Sequence, residues 1–170
     1  KKLEWFYSYM IRLRLPGGLL TADQWIGLHH IAGEHSTGTI KITTRQTVQL
    51  HGILKSHIKP TIQSFNTLHL DSIAACGDVS RNVTCSAHPK ESIIHEQVFQ
   101  YADKISTMAL PKTRAYYEIW LDEEQIMNKQ EEDPLYQDRY LPRKFKVGIA
   151  IPPNNDVDVL SNDVGLIAIV

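Results

Sequence analysis

Residues 39–51, Thr-Ile-Lys-Ile-Thr-Thr-Arg-Gln-Thr-Val-Gln-Leu-His, constrain the chain most, because they read as one long strand whose two faces differ in kind. Side chains alternate across a strand, so one face carries Ile40, Ile42, Thr44, Gln46, Val48 and Leu50. The other carries Lys41, Thr43, Arg45, Thr47, Gln49 and His51. The first face calls for a core to cover it. The second resembles a solvent-facing row, except that its arginine, glutamine, threonine and histidine donors have no carboxylate to balance them. Such a row suits a ligand rich in carboxylates or oxyanions, to which arginine offers planar, bidentate donors.

The flanking sequence supplies the cover. Ile11, Leu13 and Leu15 alternate with Arg12 and Arg14, a period of two that predicts a strand over 10–15, ended by Pro16-Gly17-Gly18. Thr21 followed by Gln24 is a capping-box spacing, and Trp25, Leu28, His29 and Ala32 continue it at helical steps, so a helix is expected over 22–34. Leu54, Ile58, Ile62, Phe65 and Leu68 predict a second helix, with Pro60 at a kink or in its first turn. Strand, helix, strand, helix in that order is an α/β or α+β unit.

Beyond it, 71–89 reads as a loop or a set of short strands rich in turn residues, and 91–109 as a third helix. Strands are expected at 113–121, 145–151 and 165–170, the last of a buried type that points to a chain continuing into a larger fold. The charged stretch 122–143, acidic around Glu131-Glu132-Asp133, is expected to be a solvated excursion without an active site.

Composition narrows the function classes. The 18 lysines and arginines nearly balance 19 aspartates and glutamates in 170 residues, so no global field marks a nucleic-acid or acidic-membrane binder, and any anion site must be local. No apolar run approaches the roughly 20 residues that cross a bilayer, and Lys1-Lys2-Leu3-Glu4-Trp5 is not a secretory leader, so a cytoplasmic protein is expected. Cys76 and Cys85 have no CxxC spacing and are too few for an iron-sulfur cluster; both read as structural thiols, and metal ligands are not expected in this chain.

Five blocks, in order, carry a resemblance: residues 10–18 (MIRLRLPGG), 38–55 (GTIKITTRQTVQLHGILK), 75–83 (ACGDVSRNV), 113–120 (TRAYYEIW) and 140–146 (YLPRKFK). Together they closely resemble the siroheme-dependent nitrite and sulfite reductase family, and within it the assimilatory sulfite reductase hemoproteins. The resemblance implies an α+β fold: a ferredoxin-like half domain over 1–67, then, over 68–170, the start of an α/β domain that binds siroheme and a 4Fe-4S cluster. It implies six-electron reduction of sulfite to sulfide, with electrons from a flavoprotein partner or from ferredoxin. The chain looks like the N-terminal half of such an enzyme, inactive without the C-terminal half.

By the same resemblance, Arg45 and Arg114 are the catalytic arginines facing sulfite on the distal side of the heme. Arg81 and Asn82 lie near the heme, and Thr47, Gln49 and His51 belong to the strand that lines its carboxylates. The cluster cysteines, and a lysine pair at the substrate, are implied to lie in the later half. Siroheme nitrite reductase is the nearest alternative; Thr47 and His51 look more like the sulfite enzymes. Asn82-Val-Thr-Cys-Ser86 resembles hemoproteins of the NADPH system and weighs towards a flavoprotein donor. A non-catalytic module holding RNA phosphates on the polar strand is the other class of reading, opposed by the near-zero net charge and the lack of paired aromatics on that strand.

Overall fold

A computed structural model describes residues 7–87, 92–112, 119–121, 124–127, 133–137 and 140–169. Strand β1 (Ser8–Arg12) is followed by helix α1 (Ala22–His35), strands β2 (Ile40–Ile42) and β3 (Val48–Leu54), and helix α2 (Ile58–Thr67). The capping box forms as the spacing predicts: the Gln24 N–H donates to Thr21 Oγ1 at 3.1 Å, and the Thr21 N–H donates to Gln24 Oε1 at 3.0 Å. Pro60 falls in the first turn of α2, where a missing N–H costs no helical bond.

The single long strand expected at 39–51 is a hairpin. The Thr43 N–H donates to the Thr47 carbonyl at 2.8 Å and the Gln46 N–H to the Thr43 carbonyl at 3.1 Å, and Gln46 takes a φ of 51° to turn the chain. β2 and β3 then pair antiparallel, and β1 pairs antiparallel with the other edge of β3. The turn removes Thr43 and Arg45 from any strand face. Pairing nevertheless keeps part of the alternation: Gln49 stands opposite both Arg12 and Lys41, and Leu50 opposite both Ile11 and Ile40. Leu50, Val48 and Ile53 close over Leu28, Ile31, Ala32 and Phe65 from the two helices to make the first core.

The second core lies around a parallel sheet. Strand β4 (Thr84–Cys85), strand β7 (Val147–Ala150) and strand β8 (Val164–Ile167) pair in the order β4-β7-β8. Helix α3 (Ile93–Met108) covers them, burying Val98 and Ala102 against Val83, Cys85, Val147 and Ile149. β5 (Ile119–Leu121) and β6 (Glu124–Met127) form a separate antiparallel pair. The α+β expectation holds: the three-stranded antiparallel sheet packs against α1 and α2, and the parallel sheet against α3.

Two further expectations need correction. The stretch 122–143 is not simply a solvated excursion. Asp133 is buried, accepting the N–H groups of Lys112, Leu135 and Tyr136, and the buried Tyr136 hydroxyl accepts the Ser80 N–H at 3.0 Å and donates to the Ala109 carbonyl at 2.7 Å. These bonds satisfy polar groups that burial would otherwise penalise. The last strand, β8, pairs with β7 and is exposed along its length within this chain rather than buried.

The two cores are joined at one seam. Gly17, just past β1, has a φ of 60°, and a Cβ there would meet Cys85 Sγ at 2.8 Å and the Phe99 ring at 2.9 Å. Its N–H donates to the Val83 carbonyl at 2.9 Å, so only glycine lets the backbone pass this close. Arg14 adds a bidentate pair to Asp71 at 2.6 and 3.1 Å and a bond from Nη1 to the Ser106 hydroxyl at 3.3 Å, tying the first unit to the loop after α2 and to α3.

Candidate functional site

The β2–β3 turn and the loop ahead of β4 face each other across a cavity of about 240 Å³. Arg12, Arg45, Arg81, Lys144 and Lys146 line it, with Thr43, Thr44, Thr47, Gln49, Asn82 and Ala75 completing the wall. Five cations converge, and no carboxylate is among the lining residues. Cations gathered on one wall favour an anion in the cavity, and the nearby Asp163 carboxylate offsets part of their field at Arg45.

Arg45 reaches the cavity from the turn. Its Nε and Nη2 donate to the Asn82 carbonyl at 3.2 and 2.6 Å, Nη2 also donates to the Val147 carbonyl at 2.9 Å, and Nη1 donates to Asn162 Oδ1 at 2.9 Å. Burial lowers its pKa; Asp163 acts in the opposite sense and the neighbouring Arg81 reinforces the fall. A guanidinium starts so high that it remains a cation at neutral pH. Arg81 is fixed by bonds from Nε to the Gly77 carbonyl at 2.8 Å and from Nη1 to the Ala75 carbonyl at 3.1 Å.

Asn82 works differently from the arginines. Its side chain is buried and spent on backbone: Oδ1 accepts the Leu15 N–H at 2.7 Å, while Nδ2 donates to the carbonyls of Leu15 at 2.6 Å and Arg45 at 2.8 Å. Thr47 is buried too, and its hydroxyl donates to the Leu13 carbonyl. Gln49, in the amide orientation that satisfies both neighbours, accepts from Arg12 Nε and Nη2 at 2.9 and 2.6 Å and donates to His51 Nε2 at 2.9 Å. His51 does not line the cavity and touches it only through Gln49. The structure therefore brings Arg45, Arg81, Asn82, Thr47 and Gln49 together and leaves His51 one residue behind; Arg114 lies outside the described residues.

Three cations escaped the sequence reading. Arg12 and Arg14 look alike in sequence, but pairing sets Arg12 opposite Gln49 while Asp71 takes Arg14. Lys144 and Lys146 are two apart in an extended segment, a spacing that puts both on one side and was legible in sequence. A lysine pair was expected only beyond this chain; these two stand on the cavity wall within it. Lys146 Nζ donates to the Ser161 carbonyl at 2.6 Å, which holds its ammonium in place.

The donor set suits the carboxylate edge of a large anionic group, or a small oxyanion, and the cavity is too small to enclose a tetrapyrrole. It does not suit a cluster. Cys76 is exposed, Cys85 is buried with its thiol pushed up to about 11 by burial and then by Asp156, and the described residues contain no group of three or more His, Cys, Asp or Glu able to hold a metal. Among the described residues no helix is long and apolar enough to cross a membrane.

Residues 7–67 match the nitrite/sulfite reductase ferredoxin-like half domain, and residues 100–170 match the nitrite and sulphite reductase 4Fe-4S domain. The chain belongs to the nitrite and sulfite reductase family. Within that family it is 68% identical, over its whole length, to the sulfite reductase [NADPH] hemoprotein beta-component of Leptospira biflexa, and 52% identical to that of Bacillus subtilis. It spans 31% and 30% of the length of those two relatives. The NirA protein of Mycobacterium tuberculosis shares the fold, with a TM-score of 0.68 at 24% identity over 95% of this chain and 25% of that one. Dissimilatory sulfite reductase I shares it with a TM-score of 0.62 at 12% identity over 93% of this chain and 32% of that one.

Proposed function

We propose that this chain supplies the anion-binding wall of a siroheme-dependent sulfite reductase, which reduces sulfite to sulfide by six electrons. The convergence of Arg12, Arg45, Arg81, Lys144 and Lys146 on one cavity without a lining carboxylate carries the reading. The 68% identity to a protein named for that activity supports it. We read the chain as a half domain up to about residue 67 followed by the first part of the cofactor domain.

In this reading Arg45 and Arg114 are the catalytic arginines, and Arg81, Asn82, Thr47, Gln49 and His51 hold or shape the siroheme site. Siroheme, when bound, would supply the iron that takes sulfite and would pass on electrons delivered by the donor, and the 4Fe-4S cluster would be held by residues outside this chain. The chain's own work is electrostatic. Guanidinium and ammonium groups fixed before the anion arrives stabilise charge on sulfite oxygens without having to reorganise. Overall, sulfite takes up six electrons and seven protons to give hydrosulfide and three waters. In this reading Lys144 and Lys146, which line the cavity, donate protons as oxygen leaves. A flavoprotein that oxidises NADPH is the electron donor that the relatives' name favours.

The test uses the protein from its complete reading frame, purified without oxygen from cells that make siroheme. Sulfite should shift the heme spectrum, and Arg45→Ala should weaken that shift. A protein that binds no siroheme, or a spectrum indifferent to sulfite, overturns the reading; faster turnover of nitrite than of sulfite would move it to the nitrite branch.

A further inference from the structure

Three groups anchor the Arg45 guanidinium, and one of them is a side chain. Nη1 donates to Asn162 Oδ1 at 2.9 Å. Asn162 follows a short 3-10 turn, Val159–Ser161, and its own amide nitrogen is fastened there, donating to the carbonyls of Asp158 at 2.9 Å and Val157 at 3.3 Å. With the nitrogen held by two carbonyls, the oxygen has to face Arg45.

The seat under that amide is equally specific. A Cβ on Gly148 would lie 2.8 Å from Asn162 Nδ2 and 3.1 Å from its Cγ. Gly148 stands within β7, where glycine weakens a strand and marks the close approach of another group. Here the approaching groups are the Asn162 amide and, at 3.1 Å, the Thr84 hydroxyl.

We propose that Asn162 is a positioning residue of the anion site: seated on Gly148, it holds Nη1 of Arg45 at the cavity and thereby sets the site's affinity for an oxyanion. This rests on reading the cavity as an anion site. Of the five guanidinium N–H groups, the bonds to Asn82, Val147 and Asn162 use four. The fifth is the second hydrogen on Nη1, and because the guanidinium is planar, the bond to Asn162 fixes its direction. An arginine held before binding loses less freedom when the anion arrives.

A double-mutant cycle on the full-length protein tests the proposal. Binding of inorganic phosphate and of sulfite is measured by calorimetry on protein made without siroheme, and KM and kcat for sulfite on the loaded enzyme. Asn162→Ala should weaken anion binding about five- to tenfold and raise KM in step, yet add little in an Arg45→Ala background, since the two residues act as one unit. Gly148→Ala, which unseats Asn162, should reproduce the loss. Should Asn162→Ala not fold, Asn162→Ser removes the reach to Nη1 while keeping a polar group in the turn.

Anion affinity in Asn162→Ala or Asn162→Ser within about twofold of wild type, while Arg45→Ala weakens it, would reduce Asn162 to a structural turn residue and overturn the proposal. An Arg45→Ala protein that binds phosphate and sulfite as wild type does would overturn the reading of the cavity, and the proposal with it.

Discussion

Asn82 and Arg45 hold each other from opposite ends: the Asn82 amide nitrogen donates to the Arg45 carbonyl at 2.8 Å, and the Arg45 guanidinium returns two bonds to the Asn82 carbonyl at 2.6 and 3.2 Å. The same amide closes both backbone groups of Leu15. One residue thus ties the end of β1, the β2–β3 turn and the lead into β4 into a single wall, and the cation that turn carries is set by it.

Asn82→Ala should therefore cost about 2–4 kcal/mol, because it leaves buried N–H and carbonyl groups of Leu15 and Arg45 without their partner. Urea denaturation read by circular dichroism checks this. A loss below about 0.5 kcal/mol would mean the seam relaxes onto other partners.

Tyr136→Phe should cost about 1–3 kcal/mol, since the hydroxyl that accepts the buried Ser80 N–H and donates to the Ala109 carbonyl disappears while both groups stay inside. The same denaturation experiment measures it, and a neutral result would show that water takes the hydroxyl's place.

The two thiols should separate by accessibility. Cys76 is exposed, whereas Cys85 is buried and its thiol is pushed up to about 11, chiefly by desolvation. The thiolate is the reactive form, so iodoacetamide at pH 8 should label Cys76 first and Cys85 only on unfolding. Peptide mass spectrometry with and without urea reads the outcome, and equal native labelling would contradict the packing around Cys85.

Asp156 sets a pH dependence. Burial pushes its carboxyl up, but the Ala87 N–H, the Ser86 hydroxyl, its own N–H and His95 outweigh that and hold it below its ordinary value. A carboxyl lowered on folding adds stability above its unfolded pKa and loses it as pH falls through the folded value. Wild type should exceed Asp156→Asn in Tm at pH 7, and the gap should begin to narrow below about pH 3.9, the ordinary carboxylate value, and vanish below the lowered folded value. A gap that does not change with pH would show that the Ser86 and Ala87 bonds act through geometry alone.

Legibility in sequence followed the range of the interactions. Helix α1 could be read because its capping box and its apolar steps lie within one short segment, and α2 because Ile58, Ile62 and Phe65 recur at helical steps; whether Pro60 kinked that helix or opened it was settled by its place in the first turn. The hairpin at 43–47 was missed because an alternating pattern continues through it: Arg45 and Gln46 carry no glycine or asparagine to announce a turn. The buried place of Asp133 was missed because an acidic run looks solvated unless the N–H groups that receive it, from Lys112, Leu135 and Tyr136, are known.

The sequence by itself determined the helices, the α+β order, the family, and the residue types that line the cavity, because capping, periodicity and motif blocks are properties of neighbouring residues. Only the tertiary structure decided which cations share the cavity. Arg12 enters it and Arg14 does not, since strand pairing and the Asp71 carboxylate sort two arginines that sequence leaves alike. Asn162 meets Arg45 across 117 positions of chain, a separation over which no local pattern carries information and only the packing of β7 and β8 brings the two side chains within a hydrogen bond.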